Sequence, residues 1–186
     1  MKKATLLTFI ILLVIKSFAQ EPQKDTYTIQ RLIIYNQNGE ILLEKQENGW
    51  MTPALRHNSK VTTTEGLINL ASNFGLTITS PKLAGIFMFI SDESASSFRQ
   101  HYISKLVNGE LKIPTGKMDA KWFLPQEAIK MMSLPDAKLI YAVRDMTDQI
   151  LKYPEIIWGG TFSLWKENDK TVYKTIENFY PVGKVE

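Results

Sequence analysis

Arg56 and His57, a second histidine at His101 and a scatter of carboxylates are the side chains of this 186-residue chain best suited to chemistry. Arg56 and His57 are adjacent in a stretch that also holds Gly49, Trp50 and Pro53. An arginine fork beside an imidazole suits a phosphate group, and the same two residues also suit a solvated loop. His101, within Arg99-Gln100-His101-Tyr102, reads as a histidine on a sheet face. Neither histidine belongs to an H-x-H or H-E-x-x-H spacing or stands near a Ser and Asp suited to acyl transfer, so zinc-hydrolase and triad chemistry find no support. The absence of Cys excludes thiol nucleophiles, thiolate metal sites, iron–sulfur clusters and lipidated cysteine. Lys112 to Gly116 (KIPTG) lacks the glycines of a phosphate-cradling loop.

The elements that would position these residues follow from hydropathy and turn chemistry. Thr26 to Tyr35 is strand-like, and Asn38-Gly39 is a hairpin turn into a strand over Ile41 to Lys45. A loop is expected over 46–60. Thr62-Thr63-Thr64-Glu65 fits a capping box, and Leu67, Leu70, Ala71 and Phe74 recur at helical spacing before Gly75, which predicts a helix over Thr63 to Phe74. Strands follow over Lys82 to Ser91, Phe98 to Val107 (leading to a second Asn-Gly turn at Asn108-Gly109) and Lys117 to Phe123. Leu124-Pro125 opens a helix to about Met132, and Pro135 starts another over Asp136 to Lys152. A final aromatic hairpin spans Ile156 to Val182, carrying Trp158, Phe162, Trp165, Tyr173, Phe179 and Tyr180. It is expected to cover the core or to pair with another subunit, and Trp158-Gly159-Gly160 within it suggests a bulge or a close backbone approach.

The N-terminus reads differently. Lys2 and Lys3 precede a 12-residue apolar run, Ala4 to Ile15, and Ser17-Phe18-Ala19 places small residues before Gln20. That run is short of the roughly 20 residues that span a bilayer, and the pattern is that of a secretory signal. The whole chain has 22 Lys+Arg against 19 Asp+Glu, but removing Lys2, Lys3 and Lys16 leaves 19 against 19. A neutral mature chain gives no electrostatic case for nucleic acid or for stable membrane association. The full sequence is 44% hydrophobic, and the chain is long enough to bury one core without disulfides.

The order strand, Asn-Gly hairpin, strand, W-x-x-P loop (Trp50, Pro53), capped helix ending in Gly75, then strands resembles the Nudix hydrolase domain. So does Asp119-Ala120-Lys121-Trp122-Phe123 with its following helix, matching that family's acidic-x-x-W-F segment. The family's box runs G-x5-E-x7-R-E-U-x-E-E-x-G-U, with U aliphatic. Gly75 and Leu76 fall on its closing pair and Leu70 on its inner aliphatic position, whereas Ala54, Lys60, Ile68, Asn69, Ser72 and Asn73 stand where it has Gly, Glu, Arg, Glu, Glu and Glu. The resemblance implies a diphosphatase whose glutamates hold Mg²⁺ or Mn²⁺ with hard oxygen ligands. Positions 69, 72 and 73 share a helix face, and here they present two amides and a hydroxyl. Glu65, one turn earlier, is either the capping partner of Thr62 or a substitute ligand, with Asp92 or Glu93 completing a site.

These readings converge on an α+β protein: a Nudix-like α/β/α sandwich with a mixed sheet. The expected boundaries are a signal over 1–19, a polar leader over 20–27, the domain over 28–152 and a C-terminal β-hairpin extension over 153–186. The expected function is that of an exported, periplasmic or secreted, module that binds a small molecule or a protein. Its candidate cleft is lined by Trp50, Arg56, His57, Glu65, Asn69, Ser72 and Asn73, with no catalytic residue, metal or cofactor. The alternative is a Nudix-type hydrolase of nucleoside diphosphate-linked substrates with a rebuilt Mg²⁺ or Mn²⁺ site. For processing, mass analysis of the exported protein is expected to find a chain starting at Gln20; an intact Met1 in a membrane fraction contradicts it.

Overall fold

The computed structural model describes residues 27–185 apart from 48, 58–59, 92–94, 134–137 and 169. The signal, most of the leader, Asp92, Glu93 and the proposed helix start at Pro135 lie outside the described residues. Strands β1 (Thr28–Tyr35) and β2 (Ile41–Gln46) form the expected hairpin. Its turn is closed by the Asn36 carboxamide oxygen, which accepts from the backbone of Asn38 (2.9 Å) and Glu40 (3.0 Å), with Gly39 at φ 76°. Next come β3 (Gly49–Met51), β4 (Ala54–His57), helix α1 (Thr63–Asn73), β5 (Leu76–Ile78), β6 (Lys82–Ser91), β7 (Ser97–Gly109) and β8 (Asp119–Phe123). Helices α2 (Pro125–Met131) and α3 (Lys138–Lys152) and strands β9 (Ile156–Glu167) and β10 (Lys170–Lys184) complete the order.

The strands form one mixed sheet in the order β10-β9-β6-β7-β1-β2-β3, with β4 beside β1, β5 beside β7 and β8 beside β2. The pairs β1/β7 and β6/β9 are parallel. Strand alternation sends Leu32, Ile34 and Leu42 to one face and Ile33, Ile41 and Leu43 to the other. The first set packs against Leu67, Ala71 and Phe74 of α1. The second packs against Ala128 of α2 and Ala142, Val143, Met146 and Ile150 of α3. Because both faces are covered, Leu32 to Ile34 of β1 is an unbroken apolar run. The result is the expected α/β/α sandwich.

Three features differ from the sequence reading. The segment 46–60 is not a loop throughout: β3 pairs with β2 and β4 with β1, so its residues obey strand alternation. Asn108-Gly109 is not a hairpin turn; Gly109 ends β7 opposite Leu76 of β5, at φ 116°. The C-terminal hairpin is not an appendage, because β9 lies parallel beside β6 from Gly85↔Trp158 to Ser91↔Leu164 and so extends the central sheet. Its aromatics cover the core: the Phe162 ring lies 5.5 Å from Phe89, 6.0 Å from Tyr173 and 6.0 Å from Phe179. Gly159 supplies the close approach, its missing Cβ leaving room for the ring of Tyr180.

Helix α1 is fixed at both ends. The Thr62 hydroxyl accepts from the Glu65 amide (3.2 Å), and Gly75 at φ 76° turns the chain into β5. A Cβ on Gly75 would lie 2.4 Å from the Glu110 carbonyl, whereas one on Gly39, also at φ 76°, would meet nothing within 4 Å. Gly39→Ala should therefore cost only the left-handed backbone term, about 1 kcal/mol, and Gly75→Ala at least about 2 kcal/mol, since its clash is with backbone. Urea unfolding of the two variants checks this; equal losses would contradict it.

Candidate functional site

The seven expected cleft residues do not all share one surface. Glu65, Asn69, Ser72 and Asn73 all stand on the exposed side of α1, opposite the buried stripe of Leu67, Ala71 and Phe74. Ser72 donates its hydroxyl proton to the Ile68 carbonyl (3.0 Å), so this side chain is already engaged with its own helix. His57 lies beside the start of the same helix, its Nδ1 3.9 Å from the position of a Cβ on Gly66 and buried without a hydrogen-bond partner.

Arg56 and Trp50 lie on the other face of the sheet. Arg56 pairs with Ile29 and His57 with Thr28, so neighbouring residues of β4 point to opposite sides. The Arg56 guanidinium sits 4.1 Å from the centre of the Tyr27 ring, away from α1. The expected Arg56–His57 pair is therefore divided by the sheet. Trp50 is buried edge-to-face against Phe123 (5.2 Å) in the core that includes α2 and α3, not in a cleft beside α1.

The sheet face that carries α3 holds a group of basic residues that the cleft reading leaves out. Arg31 and His101 are directly opposite in the parallel β1/β7 register, and Arg99 precedes His101 by one full pleat. Arg31 is 8% exposed and His101 0%, and His101 is, as expected, a sheet-face histidine. Arg31 donates from Nη1 to the Thr52 carbonyl (2.8 Å), and its Nη2 lies 3.8 Å from the Met51 sulfur. The Arg99 guanidinium lies 4.8 Å from the Phe89 ring and 5.5 Å from the Tyr27 ring. His101 packs edge-to-face on Phe87 at 5.3 Å. The sequence signal was period two: Arg99 and His101 share a face within one strand, and Arg31 interrupts an apolar one.

Burial shapes the electrostatics of this group. It pushes Arg31 down to about 10, with the Arg99 charge adding to the shift and Glu44 opposing it. Burial also lowers Arg99, against the raising effect of Tyr27. His101 is held well below its ordinary 6.5, first by burial and then by the charges of Arg31 and Arg99. At neutral pH the guanidinia are charged and the imidazole is neutral. Glu44, fully buried, receives Lys117 Nζ at 2.9 Å.

No protein-family model matches this sequence, and no curated protein matches it. Solved structures match its shape. The mutator MutT protein from Bacillus halodurans superposes with a TM-score of 0.61 at 18% identity, covering 81% of this chain and 97% of its own. The MutT protein from Methanosarcina mazei gives 0.57 at 18% identity over 73% and 99% of the two chains. A Nudix hydrolase from Nitrosomonas europaea gives 0.58 at 13% identity over 79% and 82%. This chain has the Nudix fold. Within that fold, the apolar frame named from the resemblance is in place: Leu70 of α1 packs against the core beneath the helix, Gly75 has positive φ and Leu76 is buried.

The buried imidazole makes stability depend on pH. A base whose pKa is lower folded than unfolded binds fewer protons when folded, so its contribution is complete above about 6.5 and is lost as pH falls below that value. Unfolding free energy should therefore drop with a slope approaching about 1.4 kcal/mol per pH unit below pH 6.5 from this residue. Urea titrations of the parent and His101→Gln across that range should differ by this slope; parallel curves would refute it.

Proposed function

We propose that this is an exported, periplasmic or secreted, Nudix-fold protein that binds a ligand without metal-dependent diphosphate hydrolysis. The observation that carries this reading is the donor set on the exposed side of α1: two carboxamides, one hydroxyl engaged with its own helix, and Glu65. Mg²⁺ and Mn²⁺ are hard cations whose oxygen ligands in diphosphate chemistry include charged carboxylates. Asn69 and Asn73 can offer neutral oxygens but neither compensating charge nor a general base at neutral pH. Among the described residues no group of three or more His, Cys, Asp or Glu is arranged to hold a metal ion. These residues do not fit the ion. Also among the described residues, no helix is long and apolar enough to cross a membrane.

Two of the similar structures are MutT proteins and one is a Nudix hydrolase, and those names describe those proteins. A ligand that binds only the folded form stabilises it by about 2.7 kcal/mol at a hundredfold excess over Kd, a melting shift on the order of 2–8 °C for a domain of this size. Mn²⁺ or Mg²⁺ alone is expected to give no such shift, and dinucleotides or nucleotide sugars supplied with either metal are expected to turn over at background. A Mn²⁺ shift or a hydrolytic activity that disappears in Glu65→Gln would establish the rebuilt-site hydrolase instead.

A further inference from the structure

Arg56, Arg99, Arg31 and His101 form a row that runs from solvent into the sheet on the side of α3. Arg56 is exposed, Arg99 half-buried, and the last two are 8% and 0% exposed. The row has a common direction because Ile29 pairs with Arg56 on one side and Arg99 on the other, while Arg31 pairs with His101. Tyr27 and Phe89 wall its outer half, Phe87 and Met51 its inner half. Among the described residues, Nε of Arg31, Nε of Arg99 and both ring nitrogens of His101 are buried without a hydrogen-bond partner, while another part of the Arg99 guanidinium bonds the Tyr27 side chain. Among the described residues Glu44 is a carboxylate whose charge opposes the lowering of Arg31 by burial and by Arg99.

A protein buries like charges with open donors at a large cost unless a counter-charge completes them. The unpartnered donors lie on one face of two adjacent strands, and a guanidinium such as that of Arg99 matches the planar or tetrahedral oxygens of carboxylates and phosphates. We propose that this row is a binding site for a small organic oxyanion, a carboxylate or phosphate, whose apolar part packs against Tyr27 and Phe89. Arg56 meets the ligand first, Arg99 holds the oxyanion, and Arg31 and His101 form the inner wall. The inference rests on the ligand-binding reading above but not on the absence of a metal site, since it involves no residue of α1.

The test titrates inorganic phosphate and benzoate into the full protein in EDTA at constant ionic strength, reading the two histidines by nuclear magnetic resonance. One or both probes should move the His101 resonances saturably and leave His57 unmoved; phosphate alone or benzoate alone identifies which oxyanion fits. Arg99→Gln should weaken binding about tenfold or more, the size expected for losing a charged hydrogen bond. Arg56→Gln, at an exposed position that does not endanger folding, should weaken it less, and Lys82→Gln should leave it unchanged. No saturable His101 shift with either probe, or equal affinities in the parent and both arginine variants, would overturn the site. A Mn²⁺ response together with oxyanion binding would overturn the non-hydrolytic reading and leave this site standing; the reverse pattern would do the opposite.

Discussion

Strand β1 has to satisfy two partners along one edge, and the rest of the architecture follows from how it does so. Over Thr28 to Arg31 that edge belongs to β4, and at Tyr35 it belongs to β2. Between them the sheet forks, and the Leu32 amide there donates to the Pro53 carbonyl at 2.9 Å. Arg31 closes the fork from the side by reaching the neighbouring Thr52 carbonyl, whose residue is completely buried. A buried carbonyl left without a donor is destabilising by about 1–3 kcal/mol, so an arginine in the middle of an apolar strand has a structural reason as well as an electrostatic consequence. The fork also explains where residues 50–57 go: Trp50 turns into the α2/α3 core while His57 turns toward α1.

The two layers of helix are tied to the sheet by different means. On the α1 side the contact is apolar packing under Leu67, Ala71 and Phe74, closed at the helix end by the backbone approach of Gly75 to Gly109. On the α3 side apolar packing is supplemented by polar links to the last hairpin. Tyr173 donates to Asp145 at 2.9 Å, and burial together with that bond pushes the phenol up to about 12. Thr161 donates to Glu177 across the β9/β10 pair, and the indole of Trp158 donates to the Tyr153 carbonyl at 3.4 Å. The Tyr173 and Trp158 bonds tie the hairpin to α3 and to the segment that follows it, and the Thr161 bond ties its two strands to each other.

The parts of this structure that were legible in the sequence are those written in local chemistry. The Thr62 cap, the apolar stripe of α1, the terminating Gly75 and the Asn38-Gly39 hairpin each depend on residues a few positions apart. Strands β3, β4 and β5 span three or four residues and exist because distant strands pair with them, so no local period announces them. That gap had a direct effect on the expected site. Treated as loop residues, Arg56 and His57 look like a pair; as consecutive strand residues they must diverge. Arg31, Arg99 and His101 were hidden for a related reason. Each is unremarked alone, and only the parallel register of β1 with β7 sets Arg31 against His101.

The pairing of β6 with β9 has a bearing on how the molecule comes into being. Strand β6 ends at Ser91 and its parallel neighbour starts only at Ile156, with two helices and two strands made in between. A nascent chain emerging from the ribosome therefore carries β6 with one backbone edge open until β9 has been synthesised. Open apolar edges of this kind recruit other chains, and widely separated parallel partners are found slowly. Phe87 and Phe89, which later lie beneath Phe162 and Phe179, are on that same strand and stay uncovered for the same interval. The hazard of self-association is thus concentrated in the time before β9 arrives, and it ends when β9 docks.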